Sequence, residues 1–239
     1  MNSLEVCRQS EFADQGYLLL PKLLTTRECL KAAAGTSLNQ AVQSPSWYKG
    51  GAATNPDLLL IGRNHRILSI VTQLLGPNVI LWGADLIYRG PGSIHPWHSD
   101  AESAEGERFA SFWIGLSGTS PETALRIVPK SHRFRRPVQR LATERHAARD
   151  ELCDDTVSDW AKEFDSDSRI VNLELKNGDA VVFDGRIWHA SRNQTGHRIR
   201  IALLLQYAAA DVPVRIPVNY RDWPFRFEEN RRPPCVVVA

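Results

Sequence analysis

The residues best suited to chemistry are two histidines and a carboxylate. In "SIHPWHSDAES" (93–103), His98 and Asp100 stand two apart, just after the apolar stretch "NVILWGADLIYRG" and a Gly-Pro-Gly turn. Much further on, His189 closes another apolar stretch, "GDAVVFDGRIWHAS", with Ser191 two residues beyond it. Side chains two apart on a strand share a face, so His98 and Asp100 aim together. Two neutral imidazoles and one carboxylate form the donor set that holds non-haem Fe(II) and leaves neighbouring positions open for a co-substrate and O2. The tripeptide His-x-Asp is weak evidence alone, because it suits a solvated loop or a capping arrangement equally well. Its weight comes from what surrounds His189.

"NQTG" (193–196) is a turn signal, and "HRIRIALLLQY" reads as the strand after it. That hairpin returns Arg198 or Arg200 to the side of His189. Alternation does not separate them, since both have the same parity. The planar fork of arginine grips a carboxylate through two parallel hydrogen bonds. A metal at one end and a guanidinium at the other suit a small dicarboxylate that chelates through one end, which is the shape of 2-oxoglutarate. His95 precedes a proline and is out of phase with His98, so it reads as a loop residue. His132 reads as a local hydrogen-bonding residue, and His65, His146 and His197 as solvated or capping residues. Trp82, Trp97 and Trp188 read as core or pocket wall, and Tyr88 as either packing or co-substrate contact.

These side chains need rigid elements to hold them. Residues 9–20 read as a short helix running into a strand. Residues 25–42 read as a helix capped by Thr25 or Thr26 with Glu28 in its first turn. "NHRILSIVTQLLG" has helical spacing and stops at Gly76-Pro77. From residue 78 onward, short apolar runs alternate with turns, the pattern of a β-sandwich or barrel. A polar stretch at 138–168 interrupts them as a helical insertion. It and the 43–57 loop are the lid candidates. The basic run "HRFRRPVQR" (132–140) reads as a solvated loop, with an anion-attracting rim as the sharper alternative. The whole is expected to be one domain over 1–239, with a helical N-terminal part at 1–77, a β core at 78–210 and a tail at 211–239. The apolar ending "PPCVVVA" is expected either to tuck against the domain or to break off before the natural terminus.

The totals exclude little else. A net charge of +2 over 239 residues gives no strongly basic face of the kind nucleic-acid binders show. The four cysteines are scattered without a CxxC pair, which argues against a zinc knuckle or a thioredoxin-like motif. Neither a secretory leader nor a membrane-length apolar run is seen, so a cytoplasmic protein is expected.

Along most of its length the chain resembles the phytanoyl-CoA dioxygenase family of Fe(II)/2-oxoglutarate oxygenases. The likeness runs in order through "FADQGYLLLPKLL", "WHSD", "FWIGL", "LRIVPKSH", "GDAVVFDGRIWHASRN" and "RIRIALLLQYA". It implies a mainly β protein with flanking helices, built on a double-stranded β-helix (a jelly-roll, cupin-like core). It implies iron held by His98, Asp100 and His189, and the far carboxylate of 2-oxoglutarate held by Ser191 and Arg200, which favours Arg200 over Arg198. Trp113 falls where the family often has an aromatic near the co-substrate. Where the family has "NGALRVVPGSH" this chain has "ETALRIVPKSH", so Thr123 and Lys130 replace turn glycines and altered loop geometry is expected. Halogenating relatives of this fold replace the carboxylate, so Asp100 argues for hydroxylation. The expected reaction consumes 2-oxoglutarate and O2, with ascorbate as reductant in vitro. It would hydroxylate an unactivated C–H of a small molecule, as a tailoring step in bacterial secondary metabolism. Desaturation, epimerisation or cyclisation at the same centre is one alternative, and a non-catalytic cupin-like binding protein is another.

Overall fold

The computed structural model describes residues 3–34, 49–100, 108–218, 226–229 and 234–239. Helix α1 (Ser3–Gln15) leads into strand β1 (Tyr17–Leu20), and α2 (Thr26–Ala34) follows. Thr25 is the cap. Its hydroxyl accepts from the Glu28 amide at 3.2 Å while the Glu28 carboxylate accepts from the Thr25 amide at 2.7 Å, the reciprocal box the sequence predicts. The backbone amide of Thr25, with Arg66, holds the Glu28 carboxyl down at about 2. The 35–42 half of the expected helix lies outside the described residues. Helices α3 (Gly51–Thr54), α4 (Pro56–Gly62) and α5 (His65–Leu75) complete the N-terminal layer. Asn55 caps α4 ahead of Pro56, Asn64 caps α5, and α5 stops at Gly76.

Two antiparallel sheets form the jelly roll. The larger runs β1, β7 (Ala180–Asp184), β4 (Phe109–Ser117), β9 (Arg200–Ala209), β2 (Val79–Arg89) and β10 (Val236–Val237) in spatial order. The smaller runs β3 (Ile94–His98), β8 (Trp188–Arg192), β5 (Leu125–Val128) and β6 (Val171–Asn172). Alternation sorts the large sheet's side chains. Phe112, Ile114, Leu203, Leu205 and Tyr207 pack outward with Ile67 and Val71 of α5. Trp113, Val181, Phe183 and Ala202 turn inward and meet Leu125 and Ile127 of the small sheet.

Strand β2 changes phase at a bulge between Leu81 and Gly83. Val79 and Leu81 join the helix-side core before it, and Ala84 and Leu86 after it. Asp85, Ile87 and Arg89 are thereby turned to the inner face.

The 138–168 insertion forms α6 (Val138–Glu144), a 3-10 turn at Arg149–Glu151 and α7 (Asp154–Lys162). One of the two lid candidates, it packs as a layer behind the small sheet. Leu141, Val157 and Trp160 bury themselves against Trp97, Trp188 and Ala190, the residues that alternate with the site's own. In the basic run Arg133 pairs with Asp14 and Arg136 with Glu144. The stretch is not simply a solvated loop, because His132, Val138 and Gln139 are buried and Val138 opens α6. The ending tucks in, with Val236 opposite Leu81 and Val237 opposite Ile80. No helix among the described residues is long and apolar enough to cross a membrane.

Candidate metal centre

His98 is the last residue of β3, and His189 lies directly opposite it on β8. The Nδ1 of His98 contacts the carbonyl of Pro96 at 2.9 Å, and the Nδ1 of His189 that of Ile187 at 3.0 Å. A carbonyl only accepts, so each Nδ1 carries the hydrogen and each Nε2 is left with a free lone pair. Asp100 comes from the turn after β3. Its Oδ1 is 3.6 Å from the Nε2 of His98, and its Oδ2 is 4.0 Å from the Nε2 of His189. These spacings exceed a hydrogen bond. The three groups are held apart around a common point, with all their ligand atoms within 4.8 Å of one another.

The electrostatics suit a cation. Burial pushes the Asp100 carboxyl up, but His189 and His98 outweigh it and hold the group below its ordinary value. Burial first, and then His98, lowers His189 to about 4, so its imidazole is neutral at physiological pH. Two protein contacts fix the acidic arm. The Ser111 hydroxyl donates to Asp100 Oδ2 at 2.7 Å. Gln139, fully buried on α6, accepts from the Ser99 amide at 2.9 Å and donates to the Ser99 carbonyl at 2.8 Å, clamping the backbone between His98 and Asp100.

The guanidinium end is built on β9. Arg200 is 1% exposed, whereas Arg198 is exposed in the preceding turn, which resolves what parity left open. Its Nη1 donates to the Thr123 carbonyl at 3.1 Å, while its Nε and Nη2 are buried without a partner. Trp113 lies beneath it, with the guanidinium carbon 5.2 Å from the ring centroid. Burial lowers Arg200 to about 10, with Arg89 contributing, so it is still cationic at neutral pH. Ser191 is buried on the same face of β8 as His189. Thr123, one of the two glycine replacements, bonds through its hydroxyl to the Gly118 carbonyl at 2.9 Å and so shapes the loop that meets Arg200. Lys130, the other, adopts the left-handed φ of 65° that a glycine takes freely.

Two expectations fail. His95 is no loop residue. It pairs with Ser191 while His98 pairs with His189, so three steps on β3 match two on β8. This irregularity brings the His95 ring to 4.4 Å from that of His98, and Arg89 Nη2 lies 3.1 Å from its Nδ1. Pro96, which cannot donate to the ladder, was the available signal. His132 bonds to the distant Ala13 carbonyl at 3.2 Å, which ties the loop to α1. Tyr88 is 47% exposed and opposite Ile201, on the helix side, so it packs away from the co-substrate end. His65, His146 and His197 are exposed, and Trp82, Trp97 and Trp188 are core.

Solved structures share this fold. The carbocyclase SnoK from nogalamycin biosynthesis matches at 18% identity with a TM-score of 0.68, covering 99% of this chain and 96% of that one. The epimerase SnoN, in complex with Fe3+, alpha ketoglutarate and nogalamycin RO, matches at 15% identity and TM-score 0.66, covering 90% and 87%. HygX from Streptomyces hygroscopicus, with nickel and 2-oxoglutarate bound, matches at 14% identity and TM-score 0.65, covering 88% of each chain. No curated protein matches the chain. The family model described as Phytanoyl-CoA dioxygenase (PhyH) matches residues 12–202, and the chain belongs to that family.

Proposed function

We propose that the chain is an Fe(II)- and 2-oxoglutarate-dependent oxygenase that hydroxylates an unactivated C–H of a small molecule in bacterial secondary metabolism. The observation that carries this reading is the His98–Asp100–His189 cluster, with both Nε2 atoms freed by carbonyl-bonded Nδ1 atoms and all ligand atoms within 4.8 Å. The other end also fits. A buried N–H without an acceptor costs about 1–3 kcal/mol, and a ligand that brings an acceptor to Arg200 Nε and Nη2 would relieve that cost. The far carboxylate of 2-oxoglutarate does so, with the Ser191 hydroxyl beside it.

Bound iron with 2-oxoglutarate and O2 supplies hydrogen-atom abstraction from carbon, with succinate and CO2 as by-products. The protein's own part is placement. His98, Asp100 and His189 would hold the ion, and three protein ligands would leave positions for the co-substrate and O2. Arg200, stiffened by Trp113 and the Thr123 carbonyl, sets how the keto acid lies. Phe183, whose ring is 4.6 Å from His189, and the apolar layer around it keep water from that side.

The test is anaerobic Fe(II) titration, followed by succinate detection with ascorbate, O2 and a panel of secondary-metabolite scaffolds. One iron per chain and substrate-dependent succinate are expected, and His189→Ala should weaken metal binding by more than about 100-fold, beyond the usual effect of an outer residue. Metal uptake with no succinate from any scaffold would leave a binding protein. A second reading, epimerisation or ring closure at the same centre, draws on the fold shared with SnoN and SnoK. Product structure decides between them, since hydroxylation adds an oxygen atom and the other two outcomes do not.

A further inference from the structure

Behind Asp100 runs a chain of side chains whose direction is set by its far end. Lys49 Nζ donates to Gln206 Oε1 at 2.9 Å, Gln206 Nε2 donates to Ser111 Oγ at 3.3 Å, and Ser111 Oγ donates to Asp100 Oδ2 at 2.7 Å. An ammonium has no lone pair to offer, so the amide oxygen of Gln206 must face Lys49. That turns the amide NH2 toward Ser111. A hydroxyl receiving that N–H sends its own proton the other way, to the carboxylate. All three bonds then point toward Asp100 and polarise one another.

The fold has made room for this. Ser111 on β4 and Gln206 on β9 are direct cross-strand partners, both fully buried, and Gly83 on β2 is the next partner along the row. A Cβ at Gly83 would lie 2.8 Å from Gln206 Oε1 and 3.0 Å from Gln206 Cβ, so the bulged glycine is what admits the amide. Lys49 is held in place by its own carbonyl, which accepts from the Ala84 amide at 2.7 Å just past that bulge.

We infer that Lys49, Gln206 and Ser111 are positioning residues for the metal ligand Asp100. They commit its Oδ2 to a hydrogen bond and present Oδ1 to the ion. This rests on the metal-centre reading proposed above. It makes the carboxylate a one-oxygen ligand and keeps open a position that two-oxygen binding would take.

Co(II) titration by calorimetry and visible absorption, with the melting temperature of the metal-free protein alongside, tests the inference. Ser111→Ala should weaken Co(II) binding by about 10- to 100-fold, and the melting temperature should fall as well, because the buried Gln206 amide loses its acceptor. Lys49→Met frees the Gln206 amide to turn over and should weaken binding by about 5-fold. Charge alone predicts the opposite for Lys49→Met, since removing a cation near a divalent site tightens binding. Lys49 is part-exposed, so its variant decides the matter even if Ser111→Ala does not fold. Native-like or tighter binding in the variants that fold overturns the inference, as does a lowered melting temperature with unchanged affinity. If the native protein takes up no Co(II), the metal-centre reading falls and this inference with it.

Discussion

The two ends of the site are finished to different degrees. At the metal end both imidazole Nδ1 atoms have carbonyls, Asp100 has the Ser111 hydroxyl, and the Ser99 backbone has Gln139. At the guanidinium end Arg200 has one carbonyl, one aromatic face and two buried nitrogens, Nε and Nη2, with no protein acceptor. A complete shell is stable without its ion and needs only the ion to work. An incomplete one can still take up an acceptor from a ligand. On the function proposed above, the contrast makes the site rigid around the metal and receptive to the co-substrate.

Arg200→Met sharpens the contrast most. The variant loses a charged two-bond grip of about 2–4 kcal/mol, so the KM for 2-oxoglutarate should rise by about 30- to 1000-fold. The melting temperature of the ligand-free protein should not fall, because the orphaned N–H groups disappear with the charge. A clear loss of ligand-free stability would mean that this end is as complete as the other.

Asp85 lies opposite Leu204 on the inner face of β2. Burial raises its carboxyl to about 6, against an opposing pull from Lys49. The folded state therefore binds this proton more tightly than the unfolded chain does. The penalty is absent below pH 3.8, grows between 3.8 and about 6, and is complete above that. Asp85→Asn should raise stability at pH 8 by about 1–2 kcal/mol and give almost no gain at pH 4, measured by thermal melts across pH. A uniform effect at both pH values would show that the shift is not what matters there. Ser191→Ala is the mildest change, removing one hydroxyl bond to the carboxylate of about 1.5 kcal/mol and raising the 2-oxoglutarate KM by about 10-fold.

The grouping of His98, Asp100 and His189 was legible because each part of its signal is local, whereas the choice of Arg200 over Arg198 came from the family resemblance. His98 and Asp100 share one strand end, His189 closes another, and Arg200 sits on the far arm of a hairpin that "NQTG" announces. The strand-rich fold was legible for the same reason, from alternation and turn residues. What stayed hidden depends on phase and pairing. Counting by twos put His95 on the wrong side, because the count breaks where three residues of β3 span two of β8. Ser111 and Gln206 are ordinary residues in apolar strands, and only the pairing of β4 with β9 makes them neighbours. The packing of the insertion was hidden because its sequence is mostly polar. Its buried stripe of Leu141, Val157 and Trp160 shows a side that belongs to the interior.

The outer margin of β2 is the longest backbone run left over when the large sheet is laid out, and two short pieces from opposite parts of the chain cover it. Val236 and Val237 pair at Leu81 and Ile80, and Gly50 bridges to Ala84. A bare strand of eleven residues would be a template for other chains to add to. Losing those two valines would bare that part of the edge and should raise self-association at high concentration, measured by light scattering, before it lowers the melting temperature.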